Sequence, residues 1–319
     1  MALFASAGIA GAQSTTGTIS GRVVDSQDRP TPGVVVTVES PSLQGVRTAV
    51  TSETGDYILT FLPPGAYTVT FELSGFERHE RRVSLASTQN LPVDAKLGPA
   101  VVTESVTVVG SANLLQQTTQ VASNFRQDLL SVLPTTRDIN AAVLMAPSVH
   151  ATGPNGSYSI AGAMSYENLF LINGVTVSEN LRGQPYDLYI EDAIQETTVA
   201  AAGVSAEYGR FGGGVVNVIT KSGGNQFSGS LRDTLHNDNW RALTPFAGDS
   251  KLDKVVPAYE YTLGGPVMKD RLWFFTAGRM QNADERRTLA ITSAPYDFSS
   301  RLRRYEAKAT YSPMSGHRV

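Results

Sequence analysis

The chain has 319 residues, enough for roughly two or three domains each with its own core, and carries a formal net charge of -3 with a pI near 5.9. That balance gives no electrostatic argument for a nucleic-acid partner. With no cysteine at all, disulfides, thiol nucleophiles, cysteine zinc sites and iron-sulfur clusters are excluded.

Charged residues make up 17%, against a usual value of about 25%, and Gly reaches 29 residues, a β-rich composition. Beyond the start there is no run of about 18 apolar residues, so no transmembrane helix is expected. The alternating strands of a closed barrel would escape that test. Residues 1–12 are small and apolar, and Ala10-Gly11-Ala12 has the form of a signal-peptidase site, so this stretch reads as the remnant of a signal peptide.

Residues 16–97 read as short alternating runs. Ile19, Gly21 and Val23 share one face, as do Val34, Val36 and Val38; Tyr57, Leu59 and Phe61 form a third set, and Tyr67, Val69, Phe71 and Leu73 a fourth. Turn formers separate them at Asp28-Arg29-Pro30, Thr54-Gly55-Asp56, Pro63-Pro64-Gly65 and Ser74-Gly75. About seven strands in such a span predict a small β-sandwich. Tyr57 and Tyr67 lie in phase with the apolar faces, so they are expected in the core rather than on a sugar-binding platform.

Gly21-Arg22-Val23-Val24-Asp25, Pro32-Gly33-Val34-Val35-Val36, Thr54-Gly55-Asp56-Tyr57 and Leu62-Pro63-Pro64-Gly65-Ala66-Tyr67 resemble the carboxypeptidase regulatory-like domain. The resemblance implies a transthyretin-like sandwich, grouped with carbohydrate-binding-like folds. Glycan binding follows from it only by analogy of fold.

Residues 98–120 loosen into a linker. Within it Glu104, Ser105, Val106, Thr107, Val108 and Val109 form an isolated β-prone hexamer, suited to adding a strand to a sheet edge on another protein or to pairing within a neighbouring domain.

Residues 121–222 read as an α/β segment. Phe125, Leu129, Leu130 and Leu133 recur at helical spacing up to Pro134, and Asp138 can cap a second short helix that runs to Met145. Strands are predicted at Tyr158–Gly162, Asn168–Ile172, Val175–Val177, Glu196–Val199 and Val215–Thr220, with a helical turn over Ile190–Ile194. Asn173-Gly174 is a two-residue hairpin signal, since both residues tolerate positive φ. The cluster Gly212-Gly213-Gly214 runs straight into the β-branched strand that follows, which points to close packing of that strand rather than to a phosphate loop.

Leu171-Ile172-Asn173-Gly174-Val175, Ile194-Gln195-Glu196, Ala206-Glu207-Tyr208-Gly209 and the run Gly212 through Asn225, which includes Asn217, resemble the plug domain of TonB-dependent outer-membrane receptors. The usual Arg-Gly-Pro before Tyr-Gly is replaced by Ala201-Ala202-Gly203. With the preceding sandwich, this departure is similar to the Oar-like branch rather than to standard siderophore receptors. The resemblance implies that Asn173, Gly174, Tyr208, Gly209, Gly212, Gly213, Gly214 and Asn217 are structural, and that Glu104–Val109 stands where a TonB box would be.

Residues 223–319 hold candidate barrel strands. Phe227, Gly229, Leu231 and Asp233 alternate with Ser228, Ser230 and Arg232; Tyr259, Tyr261 and Leu263 with Glu260 and Thr262; Tyr305, Ala307, Ala309 and Tyr311 with Glu306, Lys308 and Thr310. Leu272–Met280 is a further strand. A soluble antiparallel sheet predicts the same alternation, and the plug resemblance decides for a barrel. The stretch has room for roughly four to six strands, against about 22 in plugged outer-membrane transporters, so an incomplete barrel is expected.

No catalytic, cofactor or metal pattern is found. His79, His150, His236 and His317 show no ligand spacing, Asp192 and Glu196 read as ordinary solvated carboxylates, and the mixed-sign run Glu77–Arg82 reads as a guarded strand edge. The expectation is a non-enzymatic, mainly β protein: a periplasmic sandwich, a plug, and the first strands of a barrel in the outer membrane. Its expected partners are the TonB complex, outer-membrane lipid and an extracellular ligand such as an oligosaccharide or peptide that is imported. The alternative is a secreted or surface β protein acting in adhesion through the sandwich.

Overall fold

The structure, a computed structural model, describes residues 16–99, 121–132, 139–152, 157–179, 185, 186, 188–204, 206, 208–240, 242, 251–289, 291, 292 and 294–312. These residues fall into two units. One runs to Asp187 and resumes over Ile194–Thr220; the other comprises Leu188–Ala193 and Lys221–Val319.

In the first unit the alternating runs form β1 (Gly17–Asp25), β2 (Val35–Glu39), β3 (Arg47–Val50), β4 (Asp56–Leu62), β5 (Gly65–Glu72), β6 (His79–Leu85), β7 (Asn90–Pro92) and β8 (Ala95–Leu97). They make two sheets, one in the order β4-β1-β7 with β8 also on β1, the other β3-β2-β5-β6. Their inner faces share one core containing Ile19, Val23, Val36, Val38, Tyr67 and Phe71. Each such side chain stabilises the fold by about 1.5–3 kcal/mol on burial.

Tyr57 and Tyr67 lie in this core, and their hydroxyls donate to Val93 O and Pro63 O, both at 2.6 Å. Burial pushes the Tyr57 phenol well above its ordinary value, with the Asp94 charge adding to the rise. The guarded edge is found on β6, at the rim of its sheet, where Arg78 pairs with Glu72 and Glu80.

One expected face slips. Phe61 is 67% exposed at φ 58°, and Leu62 takes the core position with no exposure. The β1–β4 register shifts between Gly17 and Ile19, which pair with Leu62 and Leu59. A bulge of this kind adds one residue to a strand and reverses the facing of everything beyond it.

The first unit continues with β9 (Val121–Arg126), α1 (Gln127–Val132), α2 (Ile139–Leu144), β10 (Val149–His150), β11 (Ser159–Ile160), β12 (Leu169–Ile172), β13 (Val175–Thr176), β14 (Ile194–Ala202) and β15 (Val215–Thr220). The central sheet has the order β13-β12-β15-β14-β9. Strand β15 runs parallel to β12 and antiparallel to β14. All of its residues are buried, as expected of a strand covered on both faces.

Phe125 belongs to β9 and not to the expected helix, because pairing with Thr197 of β14 holds this stretch extended and α1 begins only at Gln127. The Tyr158–Gly162 strand shrinks to Ser159–Ile160, with Ala161 and Gly162 at positive φ. Leu133, Pro134 and the cap residue Asp138 lie outside the described residues.

In the second unit, β16 (Ser228–His236), β17 (Val256–Met268), β18 (Leu272–Thr288) and β19 (Pro295–Tyr311) form one antiparallel meander in chain order. Strands β18 and β19 have 17 residues each, longer than the expected span, and stay in register from Leu272↔Tyr311 to Thr288↔Pro295. Extended, each is about 55 Å long, well beyond an apolar band about 25 Å tall. The four strands form an open sheet.

Candidate functional site

The seam between β12 and β15 is built by three asparagines. Asn173 at φ 51° and Gly174 at φ 81° make the hairpin turn into β13. The Asn173 side chain donates to Thr220 Oγ1 at 2.8 Å and accepts from the Thr220 amide at 3.0 Å. Asn217 Oδ1 accepts from the Gly174 amide at 3.4 Å. Asn168 accepts from the Gly214 amide at 3.0 Å and donates to Tyr158 O at 2.7 Å. Side-chain amides therefore meet backbone groups that the short strands leave unpaired.

The glycines act by space. A Cβ on Gly213 would lie 2.3 Å from Asn168 Oδ1, and one on Gly214 would lie 2.3 Å from Ile160 Cγ2. Gly209 faces open space and Gly212 only ordinary contact with Glu167. Tyr208 and Asn217, with Ser87 and Thr198, line a cavity of about 20 Å³, the size of a single water.

A second cluster lies within the second unit, around the 3-10 turn Glu191–Ala193. Asp192 pairs with Arg232 of β16 at 2.8 Å and is 4% exposed. Arg279 of β18 pairs with Glu191 and, at 3.1 Å, with Glu260 of β17. Arg304 of β19 donates to Tyr189 O at 2.7 Å, and Lys221 Nζ donates to Asp192 O at 2.8 Å. Beneath these contacts Ile190 and Ala193 pack on Phe275 and Ala277.

Neither carboxylate read as solvated is exposed. Asp192 sits in that ionic cluster, and Glu196 is 1% exposed on β14. A single carboxylate in an alternating segment carries no periodic mark of burial, so only the charges that tertiary structure brings to it identify it.

The buried face of the second unit's sheet mixes polar and charged residues with Trp273, Phe275 and Ala277, and its open face carries exposed aliphatic and aromatic ones. Glu260, Thr262 and Arg304 are 7%, 7% and 9% exposed, whereas Leu231, Tyr259, Leu263 and Tyr305 are 86%, 46%, 47% and 63% exposed. A water-soluble sheet turns a polar face to solvent; a barrel wall facing lipid turns an apolar one outward. The hexamer Glu104–Val109 lies outside the described residues, as do Glu207 and His317.

Comparison with known families agrees with this geometry. Residues 18–98 match the carboxypeptidase regulatory-like domain and residues 219–313 the outer membrane beta barrel domain. The chain thus carries a regulatory-like sandwich domain followed by a segment that matches an outer membrane beta barrel domain. It is 33% identical over 284 residues to the TonB-dependent transporter Oar of Myxococcus xanthus, across 83% of this chain and 26% of that protein.

The chain therefore spans about a quarter of that relative's length. Among solved structures it is similar to the outer membrane transporter YddB of Escherichia coli, with 20% identity and a TM-score of 0.48 over 60% of this chain and 31% of that one. It is also similar to the siderophore receptor PirA of Acinetobacter baumannii, with 20% identity and a TM-score of 0.47 over 60% and 29%. These relatives are transporters and receptors, not enzymes.

Proposed function

We propose that the chain is the N-terminal part of a TonB-dependent receptor that imports an extracellular ligand, such as an oligosaccharide or peptide, with energy delivered by TonB. The observation that carries this reading is the row of exposed aliphatic and aromatic residues, Leu231, Tyr259, Leu263 and Tyr305, on one face of a sheet whose other face buries Glu260, Thr262 and Arg304 beside apolar residues. In this reading residues 121–222 are the plug, residues 16–97 a periplasmic sandwich, and residues 223–319 the first barrel strands. The hexamer Glu104–Val109 is the TonB box, which offers TonB a strand whose main-chain hydrogen bonds resist tension.

Tyr57 and Tyr67 are buried in the core and so are not offered to a sugar, whereas Phe61 is 67% exposed. Deleting Glu104–Val109 from the full-length gene tests the reading in cells. Import is expected to stop while outer-membrane location and ligand binding persist; import that survives the deletion overturns it.

A further inference from the structure

The open face of β19 changes chemistry along its length. Its exposed residues are, in order, Arg301, Arg303, Tyr305, Ala307, Ala309 and Tyr311, every second position of the strand. Residues two apart on a strand share one face. Tyr305 and Tyr311 are about 20 Å apart along the strand, on the scale of the apolar band of a barrel wall, and stand where interfacial aromatics stand. Tyr259 marks the same level as Arg303, since it pairs with Met280 and Met280 with Arg303.

Arg303 and Arg301 follow directly beyond Tyr305, at about 7 and 13 Å. The other arginines of β18 and β19 are already engaged. Arg286 pairs with Asp297 at 3.0 Å and Arg287 with Glu285 at 2.9 Å; Arg279 pairs with Glu191 and Glu260, and Arg304 donates to Tyr189 O. Arg301 and Arg303 have no ion pair among the described residues. Asp284 feels the Arg301 charge but is paired with Lys254 at 2.9 Å. Asp233, exposed on the same face, is three strands from Arg303, about 14 Å, which exceeds the screening length in physiological salt.

In the barrel reading proposed above, the connections tell the two ends apart. Residues 269–271 join β17 to β18 at the Tyr311 end, whereas residues 237–255 and 289–294 join strands at the arginine end. Short turns face the periplasm and longer loops the outside. The two free arginines therefore stand at the outer leaflet.

We propose that Arg301 and Arg303 bind a phosphate of lipid A, the phosphorylated glycolipid of that leaflet, with its acyl chains laid along Ala307 and Ala309. A guanidinium meets phosphate with paired N–H donors and stays charged at any physiological pH. Two of them about 7 Å apart on one face can close on one phosphate from both sides. Between the tyrosines the small alanines leave an exposed apolar strip, so the site takes a phosphate with acyl chains attached rather than a free anion.

The test titrates the full-length receptor in detergent with diphosphoryl lipid A, with lipid A stripped of its phosphates, and with inorganic phosphate. Tight binding is expected of the first alone, weakening as salt rises. Arg301→Gln/Arg303→Gln is expected to bind it about tenfold or more weakly, Arg301→Lys/Arg303→Lys to fall between, and Arg286→Gln/Arg287→Gln to match wild type.

The site rests on the barrel reading, and the two fail differently. The mobility of unheated protein on a denaturing gel reads barrel folding, whereas the titration reads the site in a receptor that has folded. Undiminished binding by the Arg301→Gln/Arg303→Gln variant, or an equal loss in Arg286→Gln/Arg287→Gln, overturns the proposal. So does equal binding of the dephosphorylated lipid, or displacement of lipid A by inorganic phosphate at the same concentration.

Discussion

The Ser87 amide donates to Glu196 Oε1 at 3.1 Å, joining the sandwich to the central sheet across 109 positions of sequence. Thr198 Oγ1 supports the same oxygen at 3.2 Å, while Glu196 Oε2 and Ser87 Oγ have no hydrogen-bond partner among the described residues. The junction is built around a carboxylate that the fold has almost entirely removed from water.

The consequence is a signed pH effect. Burial raises the Glu196 carboxyl above its ordinary 4.5, against the opposing Ser87 amide, Thr198 hydroxyl and Arg126 charge. The folded state holds this proton more tightly than the unfolded chain does. The carboxylate is therefore a full liability above its folded pKa, and a shrinking one as pH falls through that value toward 4.5. Glu196→Gln is expected to melt higher than wild type at neutral pH, with the gap closing on acidification. Glu196→Ala leaves the Ser87 amide without its acceptor and is expected to lose about 1–3 kcal/mol. Thermal unfolding across pH, with hydrogen exchange at Ser87, checks both.

His79 gives the opposite slope in the sandwich. Burial beside Phe71, helped by the Arg81 charge and opposed by Glu77, lowers its imidazole below the ordinary 6.5. On acidification the unfolded chain takes the proton first, so stability is complete above 6.5 and falls as pH drops toward the folded value. The sandwich's melting temperature is expected to decline below neutrality in wild type and to decline less in His79→Gln.

The glycine seam separates close approach from incidental glycine. Gly214→Ala and Gly213→Ala each bring a Cβ within 2.3 Å of a neighbour. Each is expected to cost about 1–3 kcal/mol by overpacking. Gly209→Ala meets nothing within 4 Å and is expected to stay within about 0.5 kcal/mol of wild type. Denaturant melts of the three variants decide the matter.

The Asp192–Arg232 pair is expected to couple. Asp192 is 5% and Arg232 33% exposed in their side chains. A double-mutant cycle with Asp192→Ala and Arg232→Ala should return an interaction of about 1–3 kcal/mol, whereas an exposed surface pair returns under about 1. Protection of the Glu191–Ala193 amides from exchange is the readout.

The outlines of this fold were legible where a local rule was strong. Period-two runs marked Ile19, Val36 and Tyr67 as core, and Asn173-Gly174 marked the hairpin. Alternation failed at Phe61, because a bulge set by the partner strand changes facing without any mark in the strand's own residues. Helical spacing failed at Phe125, where pairing with Thr197 overrides it. Alternation located β16–β19, yet it is symmetric, and only tertiary burial shows that Leu231, Tyr259, Leu263 and Tyr305 face outward. The carboxylates Asp192 and Glu196 were missed because their partners are distant in sequence.

The most direct measurement is the binding of the purified C-terminal domain of TonB to the full-length receptor in outer-membrane extracts, with and without Glu104–Val109. The account expects binding to the intact receptor and its loss on deletion, with the deleted receptor still in the outer membrane. Undiminished binding after the deletion contradicts it.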